Sequence, residues 1–570
     1  MQPHLRVNMA DMSVKREATP KKYEGLGGRL LIAKILNEEI DAKCDPLGKE
    51  NKLIVCTGLL AGTPVTTAHR ISVGAKSPLT GGIKEANAGG MIGPHMAKHG
   101  LSAIIIEGKP EKGLWILHIS DSGAKLIPAD EYKAQNTYEL FDKLHTKYGN
   151  KAAIMGIGSA GERQYNIAAI MVSSIEGHPT RAAARGGLGA VMASKGIKAI
   201  VIDNPVKAVE TQYADKALFT EFNKKLIAAV QEDPLSGGAL PALGTPVLVN
   251  VVNSLGCLVV KNFSDGQFAG AESLSGEFLK EQQDKRGGTG RHACQPGCVI
   301  KCSMDHIDAD GKYVTSALEY ETIVLLGSNI GIDDLDTVAK LDRICDDIGI
   351  DTIDAGVVIG VCMEGGKASF GDVDGAFALM KEMVDGTDFG KSMGAGANVV
   401  GKQLGVKRIP TVKGQGLAAY DPRAMKGTGV SYCMSAQGAD HTSGHTLGHP
   451  AIDPTKKEGT VPVVKSMQVA MATVDTLGVC LFSSFCWGAN PDSLGYVCGV
   501  LQGRYGGTWD VDKAMALGIE ALKLEKEFNK KAGFTIADDK LADFFYNEPL
   551  NPTGSVFDFT SEEMQDAIPS

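Results

Sequence analysis

The sequence predicts an α+β protein in which a β-rich N-terminal domain is followed by two mainly helical domains. Its 570 residues exceed what one hydrophobic core usually organises. Short apolar runs between glycine turns dominate up to Pro205, as is typical of strands. Beyond Pro205 apolar residues recur at helical spacing, and a glycine-rich stretch opens a third region near residue 414. We therefore expect domains at 1–205, 206–413 and 414–570.

The individual elements support this division in chain order. In the second region, 217–233 and 318–331 carry apolar residues at helical spacing. The third region holds a helix candidate over 510–533, whose lysine-rich last turn is followed by Gly533. We find no internal repeat. The clearest strand candidates are LIVCTG (53–58), SAIIIEG (102–108), LWILHIS (114–120) and AIVIDNP (199–205).

Composition excludes several classes of protein. A hydrophobic content of 43% and a charged content of 22% are those of an ordinary globular protein. The net charge of −9 argues against a nucleic-acid or anionic-membrane partner. The first 25 residues carry charges but no apolar core of signal-peptide length, and no apolar run approaches the length of a membrane span, so we expect a cytoplasmic protein. The 70 glycines indicate backbone that lies close to a ligand.

Three cysteines at four-residue intervals form the strongest local motif. Cys294, Cys298 and Cys302 can direct three thiolates at one centre, with Pro296 and Gly297 bending the first interval. A cubane iron–sulfur cluster needs four thiolates, and Cys480 and Cys486 are the available donors. A zinc site or simple core packing are the alternatives, although zinc sites usually pair C-x-x-C units. Scattered cysteines elsewhere are expected to be packed: Cys44, Cys56, Cys257, Cys345, Cys362, Cys433 and Cys498.

A glycine motif at 156–161 matches the dinucleotide fingerprint G-x-G-x-x-G. Its surroundings do not fit, because the following ERQYNIAAIMVSS alternates like a strand and no βαβ unit encloses it. We therefore expect these glycines to allow a close backbone approach to something other than a nicotinamide cofactor.

Several longer motifs follow one another along nearly the whole chain. They are YEGLGGRL (23–30), RISVGAKSPLTGGIKEANAGG (70–90), IGSAGERQYNIA (157–168), TRAAARGGLGAVMASKGIKAI (180–200), EYETIVLLGSNIGI (319–332), CDDIGIDTIDAG (345–356), YDPRAMKGTG (420–429) and DTLGVC (475–480). Together and in this order they resemble the aldehyde:ferredoxin oxidoreductase family. The resemblance implies tungsten or molybdenum held by the dithiolenes of two pterins, a bridging Mg2+, and a nearby [4Fe-4S] cluster.

The resemblance assigns cofactor positions residue by residue. Arg70 and Arg181 would meet phosphate or pterin, where a guanidinium can pair bidentately. Asn87 and the backbone of Ala182 would complete the magnesium shell, and Gly89 would let the chain pass close to the cofactor. The remaining matches are the pterin motifs Asp346, Ile350, Asp351 and Asp475, Val479, and the cluster ligands Cys294, Cys298, Cys302 and Cys480.

Two departures from the family pattern affect these expectations. The commoner cluster spacing is C-x-x-C-x-x-x-C, whereas here three residues separate Cys294 from Cys298. Cluster potential and redox partner could therefore differ. The chain also has no E-x-x-H pair of the kind that links subunits through a metal in some members. A homodimer, if formed, would use another surface.

The resemblance also implies the chemistry. Glu321 matches the carboxylate beside the metal and His441 its histidine, with Glu319, His445 and His449 as competitors. Glu321 would act as base while His441 hydrogen-bonds the carbonyl, so that an aldehyde becomes a carboxylic acid. Electrons would leave through the cluster to ferredoxin or a ferredoxin-like iron–sulfur subunit. The alternatives are a low-potential reductase of acids or aromatic thioesters on the same scaffold, or an electron-relay subunit without pterin.

Overall fold

The computed structural model describes residues 2–288 and 290–569, and it confirms the α+β prediction. Twelve strands lie before residue 203, whereas helices dominate the chain beyond it. The strand candidates at 53–58, 102–108, 114–120 and 199–205 all correspond to strands. The N-terminal strands are β1 His4–Asn8, β2 Ser13–Glu17, β3 Leu53–Thr57, β4 Ile71–Lys76, β5 Ile83–Ala88, β6 Ala103–Glu107, β7 Trp115–Ser120, β8 Gly123–Pro128, β9 Ala153–Gly156, β10 Ile170–Val172, β11 Arg181–Ala183 and β12 Ile197–Ile202.

Small strands and many helices build the rest. The short strands are β13 Arg291–His292, β14 Ser303–Ile307, β15 Tyr313–Ser316, β16 Thr411–Val412 and β17 Gln415–Gly416. The helices are α1 Gly28–Glu39, α2 Ile92–Lys98, α3 Thr137–Tyr148, α4 Ser159–Glu162, α5 Leu188–Ser194, α6 Lys216–Glu232, α7 Leu240–Leu243, α8 Leu248–Ser254, α9 Gly276–Arg286, α10 Tyr320–Leu325, α11 Leu335–Ile348, α12 Thr352–Glu364, α13 Val373–Asp385, α14 Asp388–Gly394, α15 Ala397–Leu404, α16 Lys426–Met434, α17 Thr460–Leu477, α18 Cys486–Ala489, α19 Ser493–Tyr505, α20 Val511–Ala532, α21 Phe544–Asn547 and α22 Ser561–Met564.

The N-terminal region contains an internal structural repeat that was not found in the sequence. One six-stranded sheet has the order β2-β1-β6-β3-β4-β5, and the second repeats it as β8-β7-β12-β9-β10-β11. Each sheet has one parallel pair, β1 with β6 and β7 with β12. The sequence trace of the repeat is sparse: Gly90, Gly93 and Gly100 recur at constant spacing as Gly186, Gly189 and Gly196. Most other paired positions have diverged, because any apolar side chain of suitable size fills such a core.

The two sheets enclose a shared apolar layer. Val55 and Ile104 of the first sheet and Met155 and Ile200 of the second belong to one fully buried cluster. On its other face the first sheet packs against α1, and Gly74 makes this contact possible. A Cβ at Gly74 would lie 2.3 Å from the Ile32 side chain. The sheets are therefore rigid supports for the loops at their edges.

Two helix ends from the helical region dock on equivalent glycines of the repeat. Helix α11 ends at Gly349 and helix α17 at Gly478, both left-handed with φ of 76°. Gly349 meets Gly158, which follows β9, and Gly478 meets Gly58, which follows β3. Strands β3 and β9 are counterparts in the repeat, so the helical region contacts the two sheets in the same way.

The glycine motif at 156–161 is explained by this docking. A Cβ at Gly158 would lie 2.4 Å from the carbonyl oxygen of Ile348. The motif therefore lets a helix end approach, as expected. The segment that follows contains one helical turn, α4, before the predicted strand, of which β10 is the regular part.

No single helix among residues 2–288 and 290–569 is long and apolar enough to cross a membrane. The segments Pro234–Leu243 and Thr245–Ser254 meet the length and composition criteria only as a pair that is bent by 99°.

Candidate functional site

Two segments bring four cysteines to one place. Cys294, Cys298 and Cys302 lie between β13 and β14, and Cys480 follows the end of α17. Burial raises the pKa of Cys480 to about 12, with Arg70 opposing this rise and Cys294 and Cys298 adding to it. The pKa of Cys302 is raised by burial and then by Glu319 and by all three other cysteines. The four thiols are therefore within electrostatic reach of one another.

Cys486, the other candidate for the fourth thiol, lies elsewhere. Its side chain is fully buried and donates to the carbonyl oxygen of Ser483 at 3.3 Å. Burial raises its pKa, and the neighbours that alter it are Ser493 and Asp233 rather than the cysteines of the 294–302 loop. The structure thus brings Cys480 to the cysteine group and leaves Cys486 as a packed core residue.

Arg70 and Gly89 lie directly beside this group. Arg70 donates from Nη2 to the carbonyl oxygen of Asn87 at 3.1 Å and from Nε to the Asn87 side chain. A Cβ at Gly89 would lie 3.2 Å from Cys294 Sγ and 3.4 Å from Arg70 Nη1. The predicted close approach at Gly89 therefore exists, and its immediate neighbour is a cysteine thiol.

Arg181 occupies a comparable position on the second sheet. It begins β11, the edge strand that also contains Ala182, and its Nη2 donates to Ser303 Oγ at 2.5 Å. Within the described chain, neither Arg70 nor Arg181 has a carboxylate at ion-pair distance. Arg181 Nε and Asn87 Nδ2 are buried without a hydrogen-bond partner. Buried cationic donors without counter-ions are suited to an anionic ligand.

The two predicted pterin motifs form the same helix-end turn. At the end of α11, the N–H groups of Gly349 and Ile350 both donate to Cys345, at 2.9 Å. At the end of α17, those of Gly478 and Val479 donate to Val474, at 3.0 and 3.3 Å. The bond from the residue after the glycine is the 6→1 bond of a Schellman turn, and the glycine's own bond is the 5→1 bond of the αL motif; both turns favour glycine at the left-handed position. The sequence D-x-x-G-[IV] predicts this turn in both places.

The first acid of each turn is buried in a different environment. Burial raises the pKa of Asp475 to about 6, and Arg29, 3.3 Å away, opposes the rise. Asp346 has a pKa well above the ordinary value because of burial and the neighbouring Asp342, with Arg181 opposing. Both acids have raised pKa values and can offer a carboxyl group to a bound molecule.

Asp351, the last acid of the first motif, has a structural contact of its own. It caps α12 by accepting from the N–H of Asp354 at 3.0 Å, and Arg185 Nε lies 3.3 Å away. Its side chain is 2% exposed. Asp351 is therefore tied to the protein itself, whereas Ile350 and Val479 lie at the turns and are buried.

Glu319 and Glu321, at the start of α10, have different contacts. Glu319 precedes the helix and accepts from Thr245 Oγ1 at 2.5 Å. Burial raises its pKa, with Arg181 and Arg70 among the groups that oppose this. Glu321, in the first turn, instead accepts from the N–H of Ala419 at 2.7 Å. Glu319 thus lies near Cys302, whereas Glu321 contacts Ala419 and His441.

His441 is the histidine that reaches Glu321. Its Nε2 lies 3.4 Å from Glu321 Oε1, and both side chains are mostly buried, at 19% and 13% exposure. His441 Nδ1 is a buried atom without a partner, and Glu321 Oε1 has no hydrogen bond in the described structure. These two atoms are therefore available to a bound molecule.

The competing histidines are held differently. His445 Nδ1 accepts from the N–H of Leu447 at 3.2 Å, and the ring meets Tyr420 edge-on at 4.3 Å. Burial lowers the pKa of His445 to about 3, so it stays neutral. His449 Nδ1 accepts from the N–H of Ala451 at 3.3 Å near the surface. Only His441 is paired with a carboxylate among these three.

The comparisons with known proteins fit this geometry. A model of the aldehyde ferredoxin oxidoreductase N-terminal domain matches residues 4–204, and a model of domains 2 and 3 of the same proteins matches residues 221–569. The chain belongs to the aldehyde ferredoxin oxidoreductase family. This confirms the family expected from the motifs, and the chain is therefore an oxidoreductase.

Named relatives of this family member cover most of its length. The tungsten-containing aldehyde ferredoxin oxidoreductase of Pyrococcus furiosus is 32% identical over 96% of this chain and 91% of that protein. The enzyme of the same name from Pyrococcus horikoshii is 34% identical over the same shares. A more distant relative is the WOR-like subunit of the aliphatic sulfonate oxidoreductase of P. furiosus, 26% identical over 77% of this chain and 73% of that protein.

A solved structure shares the fold of this aldehyde ferredoxin oxidoreductase family member. It is the active site complex BamBC of benzoyl coenzyme A reductase with 1,5-dienoyl-CoA. The TM-score is 0.81 and the sequence identity 18%, over 100% of this chain and 95% of that chain.

Two buried arginines of this family member were missed from the sequence. Arg29 is 2% exposed and pairs with Glu525 through two bonds of 2.7 and 2.8 Å. Arg185 is 8% exposed and donates to the carbonyl oxygen of Ala439 at 2.5 Å. Both lie in glycine-rich motifs, LGGRL and AARGG, and a lone arginine between glycines and apolar residues is the signal that could have found them.

The donor set fits the groups that the family implies. Four thiols from two segments suit a sulfur-ligated cluster, and Arg70 and Arg181 offer buried charge for phosphate. Within residues 2–288 and 290–569, no group of three or more His, Cys, Asp or Glu side chains is arranged to hold a single metal ion. Asn87, Arg181, Glu321 and His441 each leave a buried polar atom without a hydrogen-bond partner.

Proposed function

We propose that this chain oxidises an aldehyde to a carboxylic acid with a tungsten bis-pterin centre and passes the electrons through a [4Fe-4S] cluster to ferredoxin or a ferredoxin-like iron–sulfur subunit. The observation that carries the proposal is the Glu321–His441 pair. Glu321 Oε1 lies 3.4 Å from His441 Nε2 without a hydrogen bond, and His441 Nδ1 is buried without a partner. The names of the relatives at 32% and 34% identity support tungsten. Molybdenum would have the same dithiolene ligands.

The cofactor residues are proposed from their positions. Arg70 and Arg181 would bind the anionic parts of the pterins, because both are cationic donors without carboxylate partners. Asn87 and the backbone of Ala182 would provide oxygen ligands to Mg2+, which prefers such donors. Asp346 and Asp475 would accept from the pterin rings. Cys294, Cys298, Cys302 and Cys480 would hold the cluster, and Gly89 leaves room beside it.

We also propose that the chain divides functionally at about 205 and 413. The first unit would support the pterins on its two sheets. The second would supply Glu319, Glu321, the first helix-end turn and three cysteines, and the third would supply His441, the second turn and Cys480.

The protein's part in the reaction is proton transfer and orientation. When bound, the metal centre supplies two-electron redox chemistry. Oxidation of an aldehyde with water to a carboxylic acid releases two protons and two electrons. Glu321 would accept a proton from water or the hydrated aldehyde at Oε1. His441 would donate from Nδ1 to the substrate oxygen while Nε2 stays directed at Glu321.

The test is the Glu321→Gln variant, with Glu319→Gln as the matched control two residues away. We expect kcat to fall by about 10²–10⁴-fold for Glu321→Gln, the usual contribution of a general base. Tungsten and iron contents, measured by elemental analysis, should stay at wild-type values. Glu319→Gln should retain turnover, because Glu319 lies near Cys302. Full turnover in Glu321→Gln with metals in place would contradict the assignment.

A second candidate, low-potential reduction of an acid or an aromatic thioester, has one observation in its favour. The fold match to the benzoyl coenzyme A reductase complex extends over 100% of this chain. Product analysis distinguishes the two functions. Aldehyde-dependent reduction of ferredoxin supports oxidation, whereas consumption of an aryl thioester by a low-potential donor, without aldehyde turnover, supports the reductase.

A further inference from the structure

The longer first interval of the cysteine loop has a specific structural use. It contains Gln295, Pro296 and Gly297, and the first of these points inward. Gln295 is 0% exposed and its Nε2 donates to the carbonyl oxygen of Thr67 at 2.6 Å. Gly297 is exposed, with φ of 81° and open space where a Cβ would lie. The interval therefore directs an amide into the N-terminal domain while its backbone turns at the surface.

Thr66 holds the same loop at two further points. Its Oγ1 donates to the carbonyl oxygen of Gly297 at 3.2 Å and accepts from the N–H of Val299 at 3.1 Å. Together with the Gln295 bond, three hydrogen bonds fix the stretch from Gln295 to Val299, which includes Cys298, to one dipeptide of the N-terminal domain.

Thr67 connects that dipeptide to the fourth cysteine. Its Oγ1 accepts from the N–H of Cys480 at 3.0 Å and donates to Ser483 Oγ, also at 3.0 Å. Thr67 has φ of 62°, a left-handed conformation that a β-branched residue rarely adopts. Such strain persists where surrounding contacts determine the conformation, as they do here.

We propose that Thr66, Thr67 and Gln295 form a clamp that sets the positions of the cysteines on the two segments relative to each other, and thereby the retention and electronic environment of the cluster. The clamp residues are positioning residues, since they contact the cysteine-bearing backbone and not the sulfur atoms. This inference rests on the cluster assignment of the proposed function. Groups that orient metal ligands commonly change metal affinity by about 10–100-fold when mutated.

The first test removes the amide and keeps the volume, with the Gln295→Met variant of the full-length holoenzyme. The matched control is Gln468→Met. Gln468 is also 0% exposed, donates from Nε2 to a backbone oxygen, that of Ala567 at 2.8 Å, and has an unpartnered Oε1. It lies on α17 against the C-terminal segment, so it reports the cost of losing a buried amide in general.

Two measurements compare these variants: the rate of iron loss to a chelator, and the electron paramagnetic resonance spectrum of the reduced cluster. We expect Gln295→Met to lose iron about ten times faster than wild type, with an altered spectrum. Gln468→Met should match wild type in both. Equal behaviour of Gln295→Met and wild type, or the same change in both variants, would overturn the clamp.

A second pair of variants keeps the proposal testable if Gln295→Met does not fold. Thr67→Ser retains the hydroxyl that Cys480 and Ser483 contact, whereas Thr67→Val removes it. We expect wild-type iron retention and spectrum in Thr67→Ser and faster iron loss in Thr67→Val. Identical iron loss in the two would overturn the role of the hydroxyl. A wild-type protein without iron would instead refute the cluster assignment itself.

Discussion

The turns that end α11 and α17 have the same backbone but different neighbours. Each has an aspartate, a left-handed glycine three residues later and an apolar residue after that. Each also docks on an equivalent glycine of the duplicated sheets, Gly158 or Gly58. Even the next contact is equivalent, since the N–H groups of Ala169, just before β10, and Arg70, just before β4, donate to Gly349 and Gly478.

The residue after the turn separates their roles. Asp351 follows the first turn and pairs with Arg185, whereas Cys480 follows the second and lies among the cysteines. The acid at the start differs too, because Asp475 has Arg29 beside it and Asp346 has Asp342. One backbone motif can therefore serve two functions when the side chain that follows it changes.

Substitution by alanine of the residue that follows each turn should give the largest difference between the two turns, in the iron content of the variants. We expect Cys480→Ala to lose most of its iron, because three thiolates remain for a cluster that needs four. Asp351→Ala should keep wild-type iron, with stability lowered by about 1 kcal/mol or more from the lost helix cap. Iron per chain after anaerobic purification is the measurement. Equal iron in the two variants would show that the turns are not specialised as proposed.

Removal of the arginine beside each turn comes next. Arg29→Met would leave Glu525 buried without its two bonds, and we expect a loss of about 3–5 kcal/mol in the free energy of unfolding. The loss of unfolding free energy in Arg185→Met should be smaller at pH 6 than at pH 8. Burial raises the pKa of its neighbour Asp354 to about 7, so that this acid can take up a proton instead. Denaturant titrations of both variants at pH 6 and pH 8 measure the free energy of unfolding. A larger loss of this free energy in Arg185→Met at pH 6 than at pH 8 would contradict the prediction.

Substitution of the turn glycines sharpens the comparison further. Gly349→Ala places a side chain at positive φ, which costs about 1–2 kcal/mol. Gly478→Ala should cost more, because its Cβ would lie 2.7 Å from the Gly58 Cα, whereas the nearest atom at Gly349 is 3.1 Å away. The midpoints of thermal unfolding measure both effects. A lower unfolding midpoint for Gly349→Ala than for Gly478→Ala would contradict this expectation, because it would mean that the contact of Gly478 with Gly58 can accommodate a side chain.

The two acids should give the smallest effect, a dependence of stability on pH. A buried acid with a raised pKa adds stability below its unfolded-state pKa, near 4, and this is lost as pH rises through the folded value. For Asp475 the loss is complete above about pH 6. Asp475→Asn should therefore gain stability relative to wild type as the pH rises from about 4 to about 6, with no further gain above that. Burial and the neighbouring Asp342 raise the pKa of Asp346 in the same direction, so Asp346→Asn should also gain relative to wild type as the pH rises. Denaturant unfolding over this pH range is the measurement, and a variant whose stability relative to wild type did not rise with pH would refute the raised pKa of that acid.

Much of the fold followed from local patterns, because strand and helix periodicity reflects which face of each element is buried. The strands at 53–58 and 199–205 and the helices at 217–233 and 510–533 were predictable in this way. The duplicated sheet was not. Its halves retain the same strand order, but few residues are constrained by it beyond glycines at tight turns.

For the candidate site, the sequence by itself determined the family and the cysteine loop, since each depends on motifs of residues close together in the chain. Tertiary structure alone brought Cys480, rather than Cys486, to the cysteine loop and gave Glu319 and Glu321 different neighbours, and it paired His441, rather than His445 or His449, with a carboxylate. The physical reason is the same in each case. These choices depend on which way a side chain points at the junction of distant segments, and the orientation is fixed by contacts such as Thr67 with Cys480, Thr245 with Glu319 and Ala419 with Glu321.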